Sequence, residues 1–283
     1  MRIAGAPISW GVSEVPGWGF QLPADRVLRE MREVGLTATE FGPAGFLPAD
    51  RDARTALLDG YHLHALGGFV PVVLHADGDL DRTFDGFAAG DVLVLAAATG
   101  RSGYDTRPEL DRAGWRRLLA NLDFLSTAAA DRGMTAVLHP HVGTMIETGP
   151  DVERVLEGSG IALCLDTGHL LIGGTDPVRL AEQAGHRIAH VHAKDVDDRL
   201  ARRVRSGDLT YTEAVAGQMY RPLGDGDIDF RAVATALAQH RYDGWWVLEQ
   251  DTILTGEPTG EGPVTEVRRS ADHLRTLLAA TTG

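Results

Sequence analysis

The chain has 283 residues, 43% of them hydrophobic and 24% charged, a globular composition with enough apolar surface for a full core, which excludes disorder as its main state. Its 27 basic and 40 acidic residues give a formal net charge of −13, which repels polyanions and leaves no counterion-release drive toward nucleic acid or an anionic membrane. The single cysteine, Cys164, has no intramolecular disulfide partner and lies in an apolar Ile-Ala-Leu-Cys-Leu run, where a buried thiol is expected. No charged leader followed by an apolar stretch is present, and no run approaches about 18 apolar residues, so the sequence reads as soluble and cytoplasmic.

Short β-rich runs alternate with stretches of helical spacing along the chain. The expected strands are residues 2–6, 37–41, 62–66, 92–96, 135–139, 161–166, 188–192 and 245–249. Between them, residues 23–34 place Val27, Leu28, Met31 and Val34 on one stripe, and 111–132 carry Trp115, Leu118, Leu119, Leu122, Leu125 and Ala129. Later helices are expected at 151–156, 176–184, 229–239 and 266–279, three of them opening on an Asp that suits the helix dipole. Eight strand–helix pairs with no linker or compositional break point to one α/β domain over residues 1–283, a single (β/α)8 TIM barrel. The rival doubly wound sheet lacks its phosphate-binding turn, because Gly5 and Gly11 do not make the Gly-x-Gly-x-x-Gly spacing. Residues 195–227 are too long for an ordinary connection and read as a cover over the site, with a short helix near 211–219.

In such a barrel, chemistry collects where strands end. The second expected strand ends at Glu40, the fifth at His139-Pro-His141, the sixth at Asp166-Thr-Gly-His169, the seventh at His190-Val-His192-Ala-Lys194-Asp195, and the eighth at Glu249-Gln-Asp251. Five of the eleven histidines fall in three of these stretches, and oxygen and nitrogen donors at neighbouring strand ends suit a divalent Mn, Co, Fe, Zn or Mg ion. Alternation along a strand points His190 and His192 the same way, and likewise His139 and His141. Asp166 is placed to bind the metal and His169 to bend over a substrate. Glu40 is either a site residue or a surface charge beside a turn, and Trp10 either a pocket wall or rim packing. Arg101 and Arg107 are either solvated loop charges or recognise an anionic group.

The sequence also resembles the xylose isomerase-like barrels of the sugar isomerase, epimerase and AP endonuclease group, and within it the inosose dehydratases. The resemblance covers nearly the whole chain. It is carried by Gly-Ala-Pro-Ile-Ser-Trp at 5–10, Leu-Thr-Ala-Thr-Glu-Phe-Gly at 36–42, His-Pro-His-Val-Gly-Thr at 139–144, Leu-Asp-Thr-Gly-His at 165–169, His-Val-His-Ala-Lys-Asp at 190–195, Pro-Leu-Gly-Asp-Gly-Asp-Ile-Asp-Phe at 222–230 and Tyr-Asp-Gly-Trp-Trp-Val-Leu-Glu-Gln-Asp at 242–251. Carried over from the group's pattern, the resemblance implies Asp166, His192 and Glu249 as metal ligands. Strand five offers histidines where a Glu is usual, so His141 is expected as the fourth ligand with Glu147 near the substrate, and Glu147 itself is the alternative ligand.

The activity implied is a manganese-type, metal-dependent loss of water from a cyclic polyhydroxy ketone in inositol catabolism, through an enediolate. Glu147 and His169 are candidate bases, Lys194 and His139 candidate acids or oxyanion partners, and Trp10, Glu40, His169 and Asp195 candidate substrate contacts. The implied partner is a small polyol or sugar, with neither nucleic acid nor membrane. A keto-sugar or sugar-phosphate isomerase or epimerase is the alternative, because it begins from the same proton removal; a barrel reduced to a binding module is the reading outside enzymes. The loop 98–108 departs from the dehydratase pattern, which leaves the substrate less constrained than the fold.

Overall fold

The computed structural model describes residues 2–281. A nine-stranded parallel sheet runs in the order β3-β2-β1-β11-β8-β7-β6-β5-β4, with β1 (Ile3–Gly5), β2 (Ala38–Thr39), β3 (His64–Ala65), β4 (Gly67–Val72), β5 (Val92–Ala97), β6 (Thr135–Leu138), β7 (Ala162–Asp166), β8 (Ile188–Ala193) and β11 (Trp246–Leu248). The outer members of that order, β3 and β4, are two halves of one strand joined at Leu66. Leu66 N–H donates to Thr39 O on one side and Leu66 O accepts from Val92 N–H on the other, at 3.0 and 2.8 Å. Eight barrel strands therefore close into a ring, the TIM-barrel fold.

The bend between the halves sits at Gly67, whose φ of 121° belongs to glycine and where an added Cβ would collide with the Val92 backbone. This third strand departs from the expected 62–66. It starts two residues later, because His62 turns with φ 56°, and it runs on to Val72 through Gly67, Gly68 and Pro71, residues that mask a strand in a sequence.

Around the ring lie α1 (Ala24–Glu33), α2 (Arg51–Asp59), α3 (Arg112–Asp131), α4 (Gly149–Gly158), α5 (Thr167–Ile172), α6 (Pro177–Ala184), α7 (Asp198–Arg205), α8 (Tyr211–Ala216), α9 (Phe230–Gln239) and α10 (Val264–Thr281). The expectation of eight regular pairs is corrected in two places. The third strand is followed only by a 3-10 turn, Leu80–Phe84, while the strand β7 is followed by two helices, α5 and α6. The helix α2 was not anticipated; Asp50 caps it through Ala53 N–H. Of the expected acidic openings, Asp176 and Asp229 are N-caps, and Asp151 closes a capping box with Thr148.

Helix stripes such as Val27, Leu28 and Met31 are fully buried against the outer face of the sheet, each such side chain contributing about 1.5–3 kcal/mol. The barrel interior is filled separately by small residues: Ala4, Ala6, Ala38, Leu66 and Val247 form one cluster, and Val94, Val137 and Cys164 another. Residues 195–227 form the expected cover, built from α7, α8 and the antiparallel pair β9 (Asp195–Val196) and β10 (Tyr220–Arg221). Among the described residues no helix is long and apolar enough to cross a membrane.

The close approach at Gly67 gives a test of the bend. Gly67→Ala is expected to lower the unfolding free energy by about 2 kcal/mol or more, from backbone strain added to the clash, as read from urea denaturation midpoints.

Candidate active site

Four of the five barrel strands that contribute chemistry repeat one local pattern: a small interior residue followed, two positions on, by a polar one. Ala38 precedes Glu40, Val137 precedes His139, Cys164 precedes Asp166, and Val247 precedes Glu249. Period-two alternation therefore lifts the second residue to the same interior face, one layer nearer the mouth. On β8 the layers are His190 and His192. A register shift between Leu163 and Cys164 sets Cys164 beside His190 and Asp166 beside His192.

His192 is the hub. Its Nε2 lies 2.9 Å from Glu40 Oε1, which is also 2.9 Å from His190 Nε2. Its Nδ1 lies 2.6 Å from Glu249 Oε2 and 3.5 Å from Asp166 Oδ2. His139 Nε2 is 3.1 Å from that same Asp166 oxygen, while Asp166 Oδ1 accepts from His169 N–H at 2.7 Å and so caps α5. Lys194 Nζ reaches Asp251 Oδ1 at 2.8 Å, His169 Nε2 at 3.2 Å, Glu249 Oε2 at 3.5 Å and Asp166 Oδ2 at 3.6 Å. Tyr211, carried in by α8, donates its hydroxyl to Asp251 Oδ2 at 2.6 Å.

Almost all of this is buried, and the charges answer one another. Burial alone lifts carboxyl pKa values, yet His192 and His190 hold Glu40 far below the usual range, and Lys194 and His169 do the same for Asp166. Against its burial, His192 and Lys194 bring Glu249 down to about 2. Burial opposes charge on Lys194, but Asp166, Asp251 and Glu249 outweigh it and hold the ammonium well above the normal lysine range. His192 is likewise raised, against its burial, by Cys164, Glu249 and Glu40. The other imidazoles go the opposite way, with burial as the leading cause: His139, His169 and His190 are lowered, and His141 falls to about 3.

The cluster has the makings of a metal centre. His192 Nδ1 and Glu249 Oε2 are buried and, among the described residues, have no partner in hydrogen-bond geometry despite their proximity. Converging acceptor lone pairs repel unless a proton or a cation lies between them. One donor atom each from Asp166, His192 and Glu249 falls within 4.8 Å of the others, an oxygen and nitrogen set suited to a divalent ion.

A cavity of about 260 Å³ opens onto this wall. Glu40, His139, His141, Lys194, Glu249 and Asp251 line it together with Phe69, Tyr104, Tyr211 and Trp18, the balance of a small-molecule site. His141 Nδ1 bonds to Val142 O at 2.7 Å, leaving Nε2 as an acceptor, and its ring stacks 3.7 Å from that of His169.

Several expected residues stand elsewhere. Trp10 is wholly buried and donates from Nε1 to Glu30 Oε2 at 2.8 Å, so it packs beneath the wall and does not line the cavity. The Asp195 carboxylate is taken up by the N–H groups of Val196, Gly224, Gly226 and Ile228, which tie the cover down. Glu147 accepts from Gly143 N–H at 3.0 Å outside the cluster, and burial raises its pKa. His141, expected as fourth ligand, is at the cavity wall, and His139 is the fifth-strand imidazole nearest Asp166. Arg107 is bound to Asp151 at 2.6 Å, and Arg101 is exposed. Asp251 was within reach of the sequence, two residues past Glu249 on the same face; Tyr104 comes from a loop and Tyr211 from the start of α8, and neither position carries such a signal.

A family model described as xylose isomerase-like TIM barrel matches residues 88–277. The chain belongs to that family. It is 31% identical to the rhizopine catabolism protein MocC of Rhizobium meliloti, over 99% of this chain and 89% of that protein. It is also 31% identical to an inosose dehydratase of Geobacillus kaustophilus, over 98% and 94% respectively. Among solved structures, an L-ribulose 3-epimerase superposes with a TM-score of 0.69 at 16% identity, covering 99% of this chain and 95% of its own. The IOLI protein, described with a bound zinc atom, gives 0.65 at 14% identity, covering 99% of each chain. At those identities the two structures bear on the fold alone.

The depressed imidazoles make a pH prediction. In the unfolded chain their pKa is about 6.5, so below that pH the unfolded state binds protons that His139, His141, His169 and His190 refuse when folded, and stability falls as pH falls. His192 and the raised carboxyls of Asp91, Glu147, Asp195 and Asp251 have the opposite sign, but the carboxyls change charge mainly at the acid end of this range, where the depressed Glu40, Asp166 and Glu249 oppose them. The melting temperature is expected to drop steadily from pH 7 to pH 5, as read by calorimetry; a flat or rising profile contradicts it.

Proposed function

We propose that this chain, acting as one barrel domain over residues 1–283, is a cytoplasmic, metal-dependent hydro-lyase that removes water from a cyclic polyhydroxy ketone of the inosose type, as a step in inositol catabolism. The observation that carries this reading is the meeting of His192 Nδ1 with Glu249 and Asp166 beside the Lys194 ammonium at a cavity wall. Near-full-length relatives that bear the name inosose dehydratase support it.

Asp166, His192 and Glu249 would hold a divalent ion such as Mn, Co, Fe, Zn or Mg, with His139 the nearest fourth donor, and the ion would supply positive charge to the ketone oxygen as the α proton leaves. Lys194 keeps its proton because three carboxylates surround it, which makes Nζ the donor to the departing β-hydroxyl: the C–O bond breaks, the proton moves from Nζ, and water leaves. His141 Nε2 accepts a hydrogen bond from a substrate hydroxyl. His169 Nε2 orients Lys194 from behind. Two groups compete for the α proton: His169, inside the cluster but lowered by burial, and Glu147, outside it but raised in the direction that suits a base near neutral pH.

Incubation of the Mn-loaded protein with scyllo-inosose is expected to produce an ultraviolet-absorbing, enolised dione. Conversion of a ketose without loss of water overturns the dehydratase reading in favour of an epimerase or isomerase, and no conversion of either kind removes both. Glu249→Gln is expected to abolish metal uptake and turnover together. Glu147→Gln and His169→Asn separate the two bases: the variant lacking the true acceptor is expected to lose about 10²–10⁴ in kcat.

A further inference from the structure

Glu40 faces the cavity, which suggests a contact with substrate, but its hydrogen bonds point the other way. Both imidazoles of β8 are directed at one oxygen, Oε1, at 2.9 Å each. A carboxylate only accepts, so His190 and His192 must each present Nε2–H to it. For His192 this fixes which nitrogen a cation can take: with one proton held on Nε2 by Glu40, the proton that gives way to a cation is the one on Nδ1, the nitrogen that faces Glu249 and Asp166 and has no hydrogen-bond partner among the described residues.

We infer that Glu40 is a positioning residue of the metal centre, acting through His192 and not through the substrate. The inference rests on the proposed metal site and adds to it the ligating atom, Nδ1, and the group that sets it. The arrangement is a carboxylate–imidazole–metal relay in which the outer carboxylate orients the ring and raises its basicity as a ligand. Glu40 is itself held from two sides. Its backbone N–H donates to Gly5 O at 3.1 Å and its backbone carbonyl accepts from Thr39 Oγ1 at 2.9 Å, while His190 Nε2 anchors the carboxylate from the layer below. His190 gives the carboxylate a second fixed donor, so Oε1 is kept in line with His192 whether or not an ion is present. The paired histidines of β8 thus divide the work: His192 ligates and His190 steadies the acceptor.

The test measures binding of Mn2+ alone, by calorimetry on chelator-treated full-length protein. Glu40→Gln is expected to weaken Mn2+ binding by about 10- to 100-fold, because a neutral amide accepts more weakly and its NH2 group opposes a ring N–H. Glu40→Asp, which keeps the charge but falls short by one methylene, is expected to lie between the two. Nitrogen-15 NMR of the wild-type protein loaded with Zn2+ gives a readout independent of any variant's folding: His192 is expected to show a protonated Nε2 and a metal-bound Nδ1. Unchanged affinity in a folded Glu40→Gln protein, or ligation through Nε2, overturns the inference while leaving the metal site standing. Wild-type protein that takes up no ion removes the site itself, and this inference with it.

Discussion

The arrangement at the barrel mouth depends on a buried excess of negative charge. Glu40, Asp166, Glu249 and Asp251 converge around one permanent cation, Lys194, and one imidazole, His192. Such a group is stable only while its charges are matched, since stripping one partner from a buried pair costs about 3–5 kcal/mol. The barrel supplies part of the match through Lys194 and leaves the rest to a proton on His192 or to a cation from solution. Against that imbalance the surrounding imidazoles stay neutral: burial leads for each of them, and for His141 and His169 the nearby Lys194 charge adds to it.

How much of this was legible in the sequence follows from the physics of each element. The strand-end residues were, because alternation along a strand is a local property and because acids and imidazoles rarely gather at successive strand termini without cause. The halves of the third strand were not: Gly67, Gly68 and Pro71 are the residues that ordinarily argue against a strand, and here the bend that closes the ring requires one of them. Trp10 and Asp195 were misplaced for a related reason. Both flank functional motifs, and whether a side chain points into a cavity or away from it depends on turns that local patterning does not encode. Gly226 shows this well, since a Cβ there would collide with the Asp195 carboxylate; the glycine exists to let that carboxylate reach the backbone of the cover.

The fold by itself constrains the reaction weakly, because barrels of this kind carry many chemistries on similar strand ends. Discrimination lies in what surrounds those strand ends. In this chain Phe69, Tyr104, Tyr211 and Trp18 line the small cavity together with the charged groups, and three of those four rings arrive on segments outside the sheet. Tyr211 belongs both to that lining and to the network of Asp251 and Tyr220, so one element of the cover touches the cavity and the ionic cluster at once.

Lys194 and Asp195 are neighbours in the chain and face opposite duties, the ammonium turned inward to three carboxylates and the carboxylate turned outward to four backbone amides. One Cα–Cα step, about 3.8 Å, is all that separates the buried ammonium from the anchor of a 33-residue cover. The placement of the ammonium among its carboxylates and the seating of the cover are therefore joined through a single peptide plane.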